Sequence, residues 1–180
     1  LNEKKTNLDD DYIKFIRYGQ HFIERNGEGI LAYISNNSFV DGVTHRQMRK
    51  SLLSTFNDIY IINLHGDSKK QEKSPDGSPD QNVFDIMQGV SINIFVKTKR
   101  KNKLGLMHHY DLFGKRETKY EFLKASKISN IKWNNITPKE PYYFFIPKNY
   151  KIEEEYNKGI SLSELFNVSS SGTKTERDKI

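Results

Sequence analysis

The stretch that decides the fold consists of two apolar runs on either side of a long polar connection. The first run reads Asp58-Ile-Tyr-Ile-Ile-Asn-Leu64, and the second reads Val90-Ser-Ile-Asn-Ile-Phe-Val-Lys97. The first is rich in β-branched residues, and the second alternates with the period of two that is typical of a half-buried strand. Because no helix separates the two runs, we predict two strands that pair antiparallel, as a long hairpin at the edge of a sheet.

The connection between these strands begins with the loop Gly66–Gln81, which is rich in Ser, Pro, Asp, Gly and Lys. Loops longer than about 12–15 residues in a compact domain are usually functional or disordered. We expect this loop to be mobile in the free protein, because it has almost no apolar side chain to bury. The run Asn82-Val-Phe-Asp-Ile-Met-Gln-Gly89 then returns the chain to the sheet and places one aromatic residue, Phe84, at the point of return.

Strands alternate with helices upstream of this stretch. Apolar residues recur every three or four positions over 8–26, which indicates an amphipathic helix, and the run 29–35 is short and apolar enough for a buried strand. Thr44 and Gln47 match a capping box that would open a second helix. This order predicts an α/β fold: a partial doubly wound, Rossmann-like sheet with an antiparallel edge strand.

The pattern weakens downstream. Leu104 to Tyr110 alternates as a further strand, and 115–125 favours a helix. The segment 130–147 is rich in aromatic residues and proline, which indicates irregular structure or short strands. The tail from Asn167 is polar, as is typical of a mobile end.

Composition excludes several classes of protein. The chain has 180 residues, with 29 Lys and Arg against 23 Asp and Glu and a formal net charge of +6; this mild excess permits a polyanionic partner without requiring one. Cysteine is absent, which excludes disulfides and thiolate metal sites. No apolar run is long enough to span a membrane, so we expect no membrane partner and a cytoplasmic location. The chain begins at Leu1 rather than Met, which indicates a piece of a longer protein.

Three groups of residues are candidates for binding. Phe84 is either an aromatic plate for a planar ligand or an apolar anchor of the loop end. Asn37 and Ser38 follow a predicted strand, where ligands bind in open α/β sheets, although a capped polar turn gives the same pattern. A basic run over 97–103 either binds phosphate groups or forms a solvated turn. Its members are Lys97, Lys99, Arg100, Lys101 and Lys103.

Other catalytic patterns are absent or weak. The sequence contains neither G-x-G-x-x-G nor a Walker A motif, so it offers no phosphate cradle. Adjacent residues of a strand point to opposite faces, so we do not expect His108 and His109 to share a metal ion. Glu117 and Lys119 match the Glu-x-Lys of some nucleases, but they fall in a predicted helix. We therefore assign no metal site and no catalytic residue.

Several segments together resemble a known family. Tyr12–Arg17, Gly29–Phe39, Met48–Lys50 and Asp58–Asp67 are similar, in this order, to the second half of a catalytic domain. The family is the adenine-specific (N6) DNA methyltransferases of single-chain type IIG and type ISP restriction–modification enzymes. The most specific segment is Asn82–Lys97, which resembles the family's late motif.

The resemblance implies roles for these residues. The family transfers a methyl group from S-adenosylmethionine to the exocyclic amino group of adenine in DNA, after the base has been taken out of the stack. Phe84 holds the place of the aromatic residue that stacks on the flipped adenine, and Asn37 and Ser38 would lie near it. The basic residues of the run 97–103 would hold backbone phosphates.

Two motifs of the family do not occur in this sequence: Asn-Pro-Pro-Tyr, which handles the adenine amino group, and the glycine-rich S-adenosylmethionine loop. In the family both precede the helix with which this chain opens. We therefore expect the chain alone to be inactive and to bind no S-adenosylmethionine. Its expected partners are DNA and the upstream half of the methyltransferase domain.

The resemblance also divides the chain. Residues 1–112 correspond to the C-terminal half of the catalytic domain, and 113–166 to a connector with a helix and an aromatic-rich segment. Residues 167–180 are the start of a target-recognition region, entered at Gly172–Asp178, or a flexible tail. The alternative to a methyltransferase fragment is a noncatalytic α/β module that binds nucleic acid or protein through its basic and aromatic surface.

Overall fold

The computed structural model describes residues 6–100, 103–156, 158–160 and 162–165. Its helices and strands are α1 (Asp11–Asn26), β1 (Gly29–Asn36), α2 (Ser38–Asp41), α3 (Arg46–Thr55), β2 (Asp58–His65), β3 (Val90–Lys97), β4 (Leu106–Asp111), α4 (Arg116–Ala125), β5 (Asn134–Ile136), α5 (Glu153–Tyr156) and α6 (Leu162–Leu165). Within these described residues, no helix combines the length and the apolar character needed to cross a membrane.

The five strands form one mixed sheet in the order β1-β3-β2-β4-β5. Strand β3 is antiparallel to both β1 and β2, whereas β2 is parallel to β4. Strand β5 is antiparallel to β4. The predicted α/β class, with a partial Rossmann-like sheet, is confirmed, and both edge strands are antiparallel to their neighbours.

The position of β3 differs from the expected hairpin at the edge. The antiparallel pairing of β2 with β3 is confirmed, but β3 lies inside the sheet, between β1 and β2. Its alternating polar residues do not face solvent. Ser91 and Asn93 are fully buried, and the amide of Asn93 donates to the hydroxyl of Ser35 at 3.1 Å while its oxygen accepts from Ser91 at 2.9 Å. The polar residues that alternate along β3 are therefore buried and hydrogen-bonded, although their spacing resembles that of a strand with one face in solvent.

Helices cover both faces of the sheet. The first core joins α1 and α3 to one face of the central strands, and its fully buried members include Ile16, Leu52, Phe56, Ile59 and Phe95. The second core lies on the other face beneath α4, where the ring of Phe122 stacks on Tyr110 with centroids 5.2 Å apart. One detail of α3 was predicted wrongly: it begins at Arg46 after a 3-10 turn, and its N-cap residue is His45 rather than Thr44.

The loop Gly66–Gln81 is bound to the sheet and to α4 by charged side chains, and its mobility in the free protein stays a prediction. Its end is held by Lys119 of α4, whose ammonium group donates to the carboxylate of Asp80 at 2.7 Å. The same group donates to the carbonyl oxygens of Leu64 and Gln81 at 2.7 and 2.6 Å. The side chains of Lys119 and Asp80 are both fully buried. Lys119 is therefore a structural residue, and the loop is anchored by charge rather than by apolar burial.

The chain forms two compact units, Leu1–Pro147 and Lys148–Ile180. The first unit contains the whole sheet and α4, so residues 113–147 of the predicted connector belong to it. The second unit contains α5 and α6. The predicted entry to a target-recognition region, Gly172–Asp178, lies outside the described residues. The functions assigned to these stretches stay predictions.

Replacing Lys119 with Met is expected to destabilise the protein by about 3–5 kcal/mol, because the carboxylate of Asp80 would stay buried without its cation. Equilibrium urea unfolding followed by circular dichroism measures this loss. Lys124→Met, at an exposed position of the same helix, is the control and should change the unfolding free energy by no more than about 0.5 kcal/mol. Equal effects of the two substitutions would show that the buried pair does not anchor the loop.

Candidate functional site at the carboxyl edge of the sheet

Strands β1, β2 and β4 end at the same edge of the sheet, because all three run in one direction while β3 runs against them. The register places Asn36 and His65 opposite Val90, the first residue of β3, and Asn63 opposite Asp111. Ligands of open α/β sheets bind beside the carboxyl ends of the strands. This edge is therefore the place at which to look for the predicted site residues.

Asn37 and Ser38 lie at this edge, as predicted. The side-chain amide of Asn37 donates to the side-chain oxygen of Asn63 at 2.9 Å, and its backbone N–H donates to the carbonyl of Gly89 at 3.0 Å. A Cβ atom on Gly89 would come within 2.7 Å of the Asn37 amide nitrogen, so only glycine allows this approach. Ser38 donates both its N–H and its hydroxyl to the side-chain oxygen of Asn36. Asn37 thus ties the end of β1 to the turn that carries Phe84.

Phe84 lies on a turn closed by the side chain of Asn82. The Asn82 amide donates to the carbonyls of Gly66 and Gln88 at 3.1 and 2.7 Å, and its oxygen accepts from the N–H of Phe84 at 2.9 Å. Gly66 has a φ of +80° and packs so closely that an added Cβ would lie 2.4 Å from the Asn82 Cα. The Phe84 side chain is 43% exposed, so Phe84 is not a core anchor of the loop.

Two side chains of helix α4 also bind this turn. The guanidinium group of Arg116 donates to the carbonyls of Asn82 and Phe84 at 2.8 and 3.1 Å and to the carboxylate of Asp85 at 2.8 Å. The hydroxyl of Tyr120 donates to the carbonyl of Val83 at 2.5 Å. Sequence reasoning did not find these two supports. Their one signal was a helix that carries Arg and Tyr four residues apart, which many surface helices also show.

His65 joins three parts of the chain at this edge. Its Nε2 lies 2.7 Å from the carboxylate of Asp111 on β4, and its Nδ1 lies 3.0 Å from that of Glu72 in the loop. The imidazole also stacks on Phe113, with ring centroids 3.8 Å apart. We did not predict from the sequence this arrangement of His65, Glu72 and Asp111, which we call the His65 clamp. The available signal was a His-Gly pair directly after a strand.

The two carboxylates set the protonation of the His65 clamp. Burial favours the neutral imidazole, but hydrogen bonds with Asp111 and Glu72 outweigh burial and raise the pKa of His65. Burial likewise opposes ionisation of Asp111 and Glu72, yet the bond with His65 holds the pKa of each carboxyl below its ordinary value. The clamp is therefore most stable with His65 as a cation between two anions.

A cavity of about 300 Å³ opens beside the clamp, with Asn37, Asn63, His65, Lys70, Glu72 and Asp111 among its lining residues. Its size lies at the lower limit of small-molecule sites. A larger groove of about 700 Å³ lies between α1 and α3, lined among others by Ile16, Arg17 and Met48. That groove contains none of the predicted site residues, so the chemistry points to the smaller cavity at the strand ends.

The basic run lies at the opposite end of β3 from this edge. Val90 starts the strand at the candidate site and Lys97 ends it, which separates the two by about 24 Å for a strand of this length. Lys97 donates to the carbonyl of Thr55 at 3.0 Å, and Arg100 pairs with Asp58 at 2.6 Å. The structure therefore does not place this run beside Phe84.

The remaining members of the run are more loosely placed. Lys99 lies 4.0 Å from Glu28, and Lys103 is exposed. Lys101 lies outside the described residues. Phosphate binding by the run stays a prediction, but it would concern a surface that is separate from the candidate site.

The adjacent histidines of β4 point to opposite faces, as expected. His108 stacks on Tyr60 with centroids 4.4 Å apart, whereas His109 is 1% exposed and burial lowers its pKa. Within the part of the chain that the structure describes, no three His, Asp or Glu side chains are arranged to hold a metal ion.

His65→Asn is expected to remove a pH-dependent part of the stability. Asn tolerates the left-handed backbone of this position, where φ is +53°, but it cannot carry the charge. Because the pKa of His65 is raised on folding, its stabilisation is complete below about pH 6.5, the ordinary histidine pKa, and is lost as the pH rises through the folded-state pKa. The difference in unfolding free energy between wild type and variant should therefore shrink from about pH 6 to pH 9. Urea unfolding at both pH values measures it, and a constant difference would contradict the clamp.

No protein-family model matches the sequence. No curated protein matches it either.

Solved structures do match. DrdV, in a complex with DNA, superposes with a TM-score of 0.72 over 87% of this chain and 15% of its own, at 26% identity. LlaBIII, an ATP-dependent type ISP restriction–modification enzyme bound to DNA, gives a TM-score of 0.70 over 84% of this chain and 11% of its own, at 33% identity.

A third match is a nuclease-deletion mutant of the type ISP restriction–modification enzyme LlaGI in complex with a DNA substrate mimic. It gives a TM-score of 0.67 over 79% of this chain and 12% of its own, at 28% identity. The chain thus spans 11–15% of the length of the structures it matches. It is similar to a region of type ISP restriction–modification enzymes, which confirms that part of the resemblance found in the sequence.

Proposed function

We propose that this chain is the part of a DNA adenine-N6 methyltransferase, within a restriction–modification enzyme, that stacks the target base and contacts DNA. The observation that carries the proposal is the turn Asn82–Gly89, which presents Phe84 at the carboxyl edge of the sheet. The DNA complexes of the similar structures support it, as does the resemblance of the segment Asn82–Lys97 to the family's late motif.

The turn fixes the backbone of Phe84 while leaving its ring free. The N–H of Phe84 is bound by Asn82 and its carbonyl by Arg116, so both backbone groups are occupied. An aromatic ring held in this way needs little ordering when a base stacks on it, and such stacking is worth about 1–3 kcal/mol per base. A base taken out of the duplex would find this flat partner at the edge where ligands bind.

Asn37 and Ser38 then act in different ways. The amide of Asn37 is already bound to Asn63, so Asn37 positions the turn through Gly89. The hydroxyl of Ser38 donates to Asn36 and keeps lone pairs that can accept a hydrogen bond from an exocyclic amino group. Ser38 is therefore the better candidate of the two for contact with adenine.

The methyl donor and the remaining catalytic groups would come from an upstream half of the domain. Among the strands that the structure describes, β1 has β3 as its one neighbour, so its outer edge can pair with a further strand, and it exposes Ile30 and Ile34, which are 68% and 50% accessible. Helix α1 beside it exposes Phe15 and Tyr18. We infer that the upstream half pairs with this edge, and that a reading frame extended upstream of Leu1 encodes Asn-Pro-Pro-Tyr.

The chain alone is expected to transfer no methyl group, because it carries neither Asn-Pro-Pro-Tyr nor a glycine-rich cofactor loop. Calorimetric titration with S-adenosylmethionine and a methyl-transfer assay on mixed-sequence DNA measure this. Tight cofactor binding or turnover by the chain would contradict the assignment of both motifs to the upstream half.

Phe84→Ala is expected to weaken binding to a duplex with one unpaired adenine by roughly ten- to a hundredfold, which is the loss of about 1–3 kcal/mol of stacking. Phe84→Trp keeps a stacking surface and should retain most of the affinity. Fluorescence of 2-aminopurine at the unpaired position reports stacking directly. Melting temperature should barely change in either variant, because the ring is already 43% exposed.

Phe22→Ala is the matched control, since Phe22 is 47% exposed on α1 and lies outside the carboxyl edge. It should leave DNA binding unchanged. If Phe84→Ala instead lowered stability by about 3–5 kcal/mol, as a core phenylalanine does, and left base stacking intact, the stacking role would be wrong. The noncatalytic binding module would then be the better interpretation.

A further inference from the structure

The edge that carries Phe84 has basic side chains of its own, in the segment Ser68–Lys73 of the loop. We propose that this segment, through Lys69, Lys70 and Lys73, binds phosphate groups of the DNA strand whose base reaches Phe84. The proposal rests on the proposed function and assigns the backbone contacts of the same site. The proposal places these contacts in the loop beside the turn Asn82–Gly89, here called the stacking turn, and not in the basic run at the far end of β3.

Direct contacts join the segment to the stacking turn. The backbone N–H of Ser68 donates to the carbonyl of Met87 at 3.0 Å, and the Ser68 hydroxyl lies 3.5 Å from the same oxygen. Lys69 follows immediately, and Lys70 lines the cavity that also contains Asn37 and His65. Ser68 therefore joins the segment to the turn that carries Phe84, and Lys70 joins it to the cavity at the strand ends.

Three of the four acidic residues of this loop are bound to groups other than the three lysines, and the fourth, Asp67, lies near Lys70. Glu72 is bound to His65 at 3.0 Å, and Asp80 is bound to Lys119 at 2.7 Å. Asp67 lies 3.8 Å from the ammonium group of Lys70, which is a long pair in which the lysine side chain is exposed and the carboxylate is mostly buried. The carboxylate of Asp76 accepts from the N–H and the hydroxyl of Ser78, in the turn at the far end of the loop.

Two lysines are left without a compensating charge. Lys69 and Lys73 are both exposed, and no carboxylate of the described residues lies within salt-bridge distance of either. The His65 clamp contributes to this, because Glu72 is hydrogen-bonded to His65 even though it lines the same cavity as Lys70. A positive surface beside an exposed aromatic ring is the combination by which proteins track a nucleic-acid strand and stack its bases.

The tip of the turn adds apolar contacts next to the lysines. Ile86 and Met87 are 47% and 55% exposed, although apolar side chains of this size are usually buried. Apolar side chains at such positions can contact or wedge between unstacked bases. One strand would thus meet lysines on its phosphate side and Phe84, Ile86 and Met87 on its base side.

The test compares two double substitutions that remove the same charge from opposite ends of β3. Lys69→Ala with Lys73→Ala changes the proposed surface, and Lys99→Ala with Lys103→Ala changes the basic run. Binding of the whole chain to a fluorescently labelled duplex with one unpaired adenine is measured by anisotropy from about 50 to about 200 mM salt. Melting temperatures check that both variants stay folded.

The first double variant should bind roughly tenfold more weakly or worse at low salt, and its salt slope should fall by about two contacts, since each phosphate contact contributes about 0.9 to the slope. The second should keep the wild-type slope. Phe84→Ala, measured alongside, should weaken binding without changing the slope, because stacking releases no counterions.

Every other outcome contradicts either this proposal or the proposed function. Equal slope changes in both double variants would mean that net charge alone matters, and a change only in Lys99→Ala with Lys103→Ala would return the contacts to the basic run. Both results contradict the proposal but leave the stacking role of Phe84 intact. Failure of the unaltered chain to bind DNA at low salt would overturn the proposed function together with this inference.

Discussion

The antiparallel insertion of β3 between β1 and β2 is the constraint on which the rest of the structure depends. Strand β2 ends at His65. The chain returns to the sheet at Val90, at the same edge, as the neighbouring strand β3. The intervening residues 66–89 therefore begin and end at the carboxyl edge, and cannot be carried across to the other end of the sheet. The long loop, the turn of Phe84 and the ends of β1 and β4 meet because the strand directions require it.

Charge, rather than apolar burial, holds this connection in place. A loop with few apolar residues normally lacks the burial free energy to offset the entropy of ordering its backbone. Here Lys119 binds one carboxylate and two backbone carbonyls inside the protein, and His65 binds two further carboxylates at the strand ends. Such pairs are stabilising only when every member has its partner, which makes the loop's geometry sensitive to a single missing charge.

The sequence was sufficient for the elements whose signal is local. The periodicity of α1, the apolar run of β2 and the pairing of β2 with β3 were predicted correctly, because side-chain spacing determines them. The run 29–35 does form a strand, but β1 is a half-exposed edge strand antiparallel to β3 and not the buried parallel strand that was predicted, because β3 separates it from β2. The placement of β3 inside the sheet was not predictable, since its polar residues are buried in a network with Ser35, which lies far away in sequence. The contact that anchors the loop was missed for the same reason: composition shows that Asp80 and Lys119 are charged, but not that they meet.

The candidate site shows the same division between local and long-range information. The positions of Asn37, Ser38 and Phe84 near the strand ends could be predicted because each follows or precedes a recognisable strand, and their roles stay predictions. The basic run was assigned to the same site because of its positive charge. It lies at the other end of β3, about 24 Å from the carboxyl edge. Arg116 and Tyr120 were missed, because their role depends on α4 folding back over the turn. A side chain that binds a backbone carbonyl of a distant segment cannot be recognised from the residues that flank it in the sequence.

The hydrogen bonds to the turn Asn82–Gly89 hold the backbone of Phe84 in place although its ring is exposed, which is what the proposed stacking requires. Asn82 and Arg116 bind the backbone on both sides of the ring, and Asn37 fixes Gly89 at the end of the turn. Ordering a loop when a ligand binds would subtract from the stacking free energy, whereas a turn that is already closed leaves nearly all of it for binding. The conformational entropy is thus lost on folding, where Lys119 and the sheet offset it, and not when a base arrives. The proposed stacking at this edge would consequently depend on the whole connection from His65 to Val90, and not on Phe84 alone.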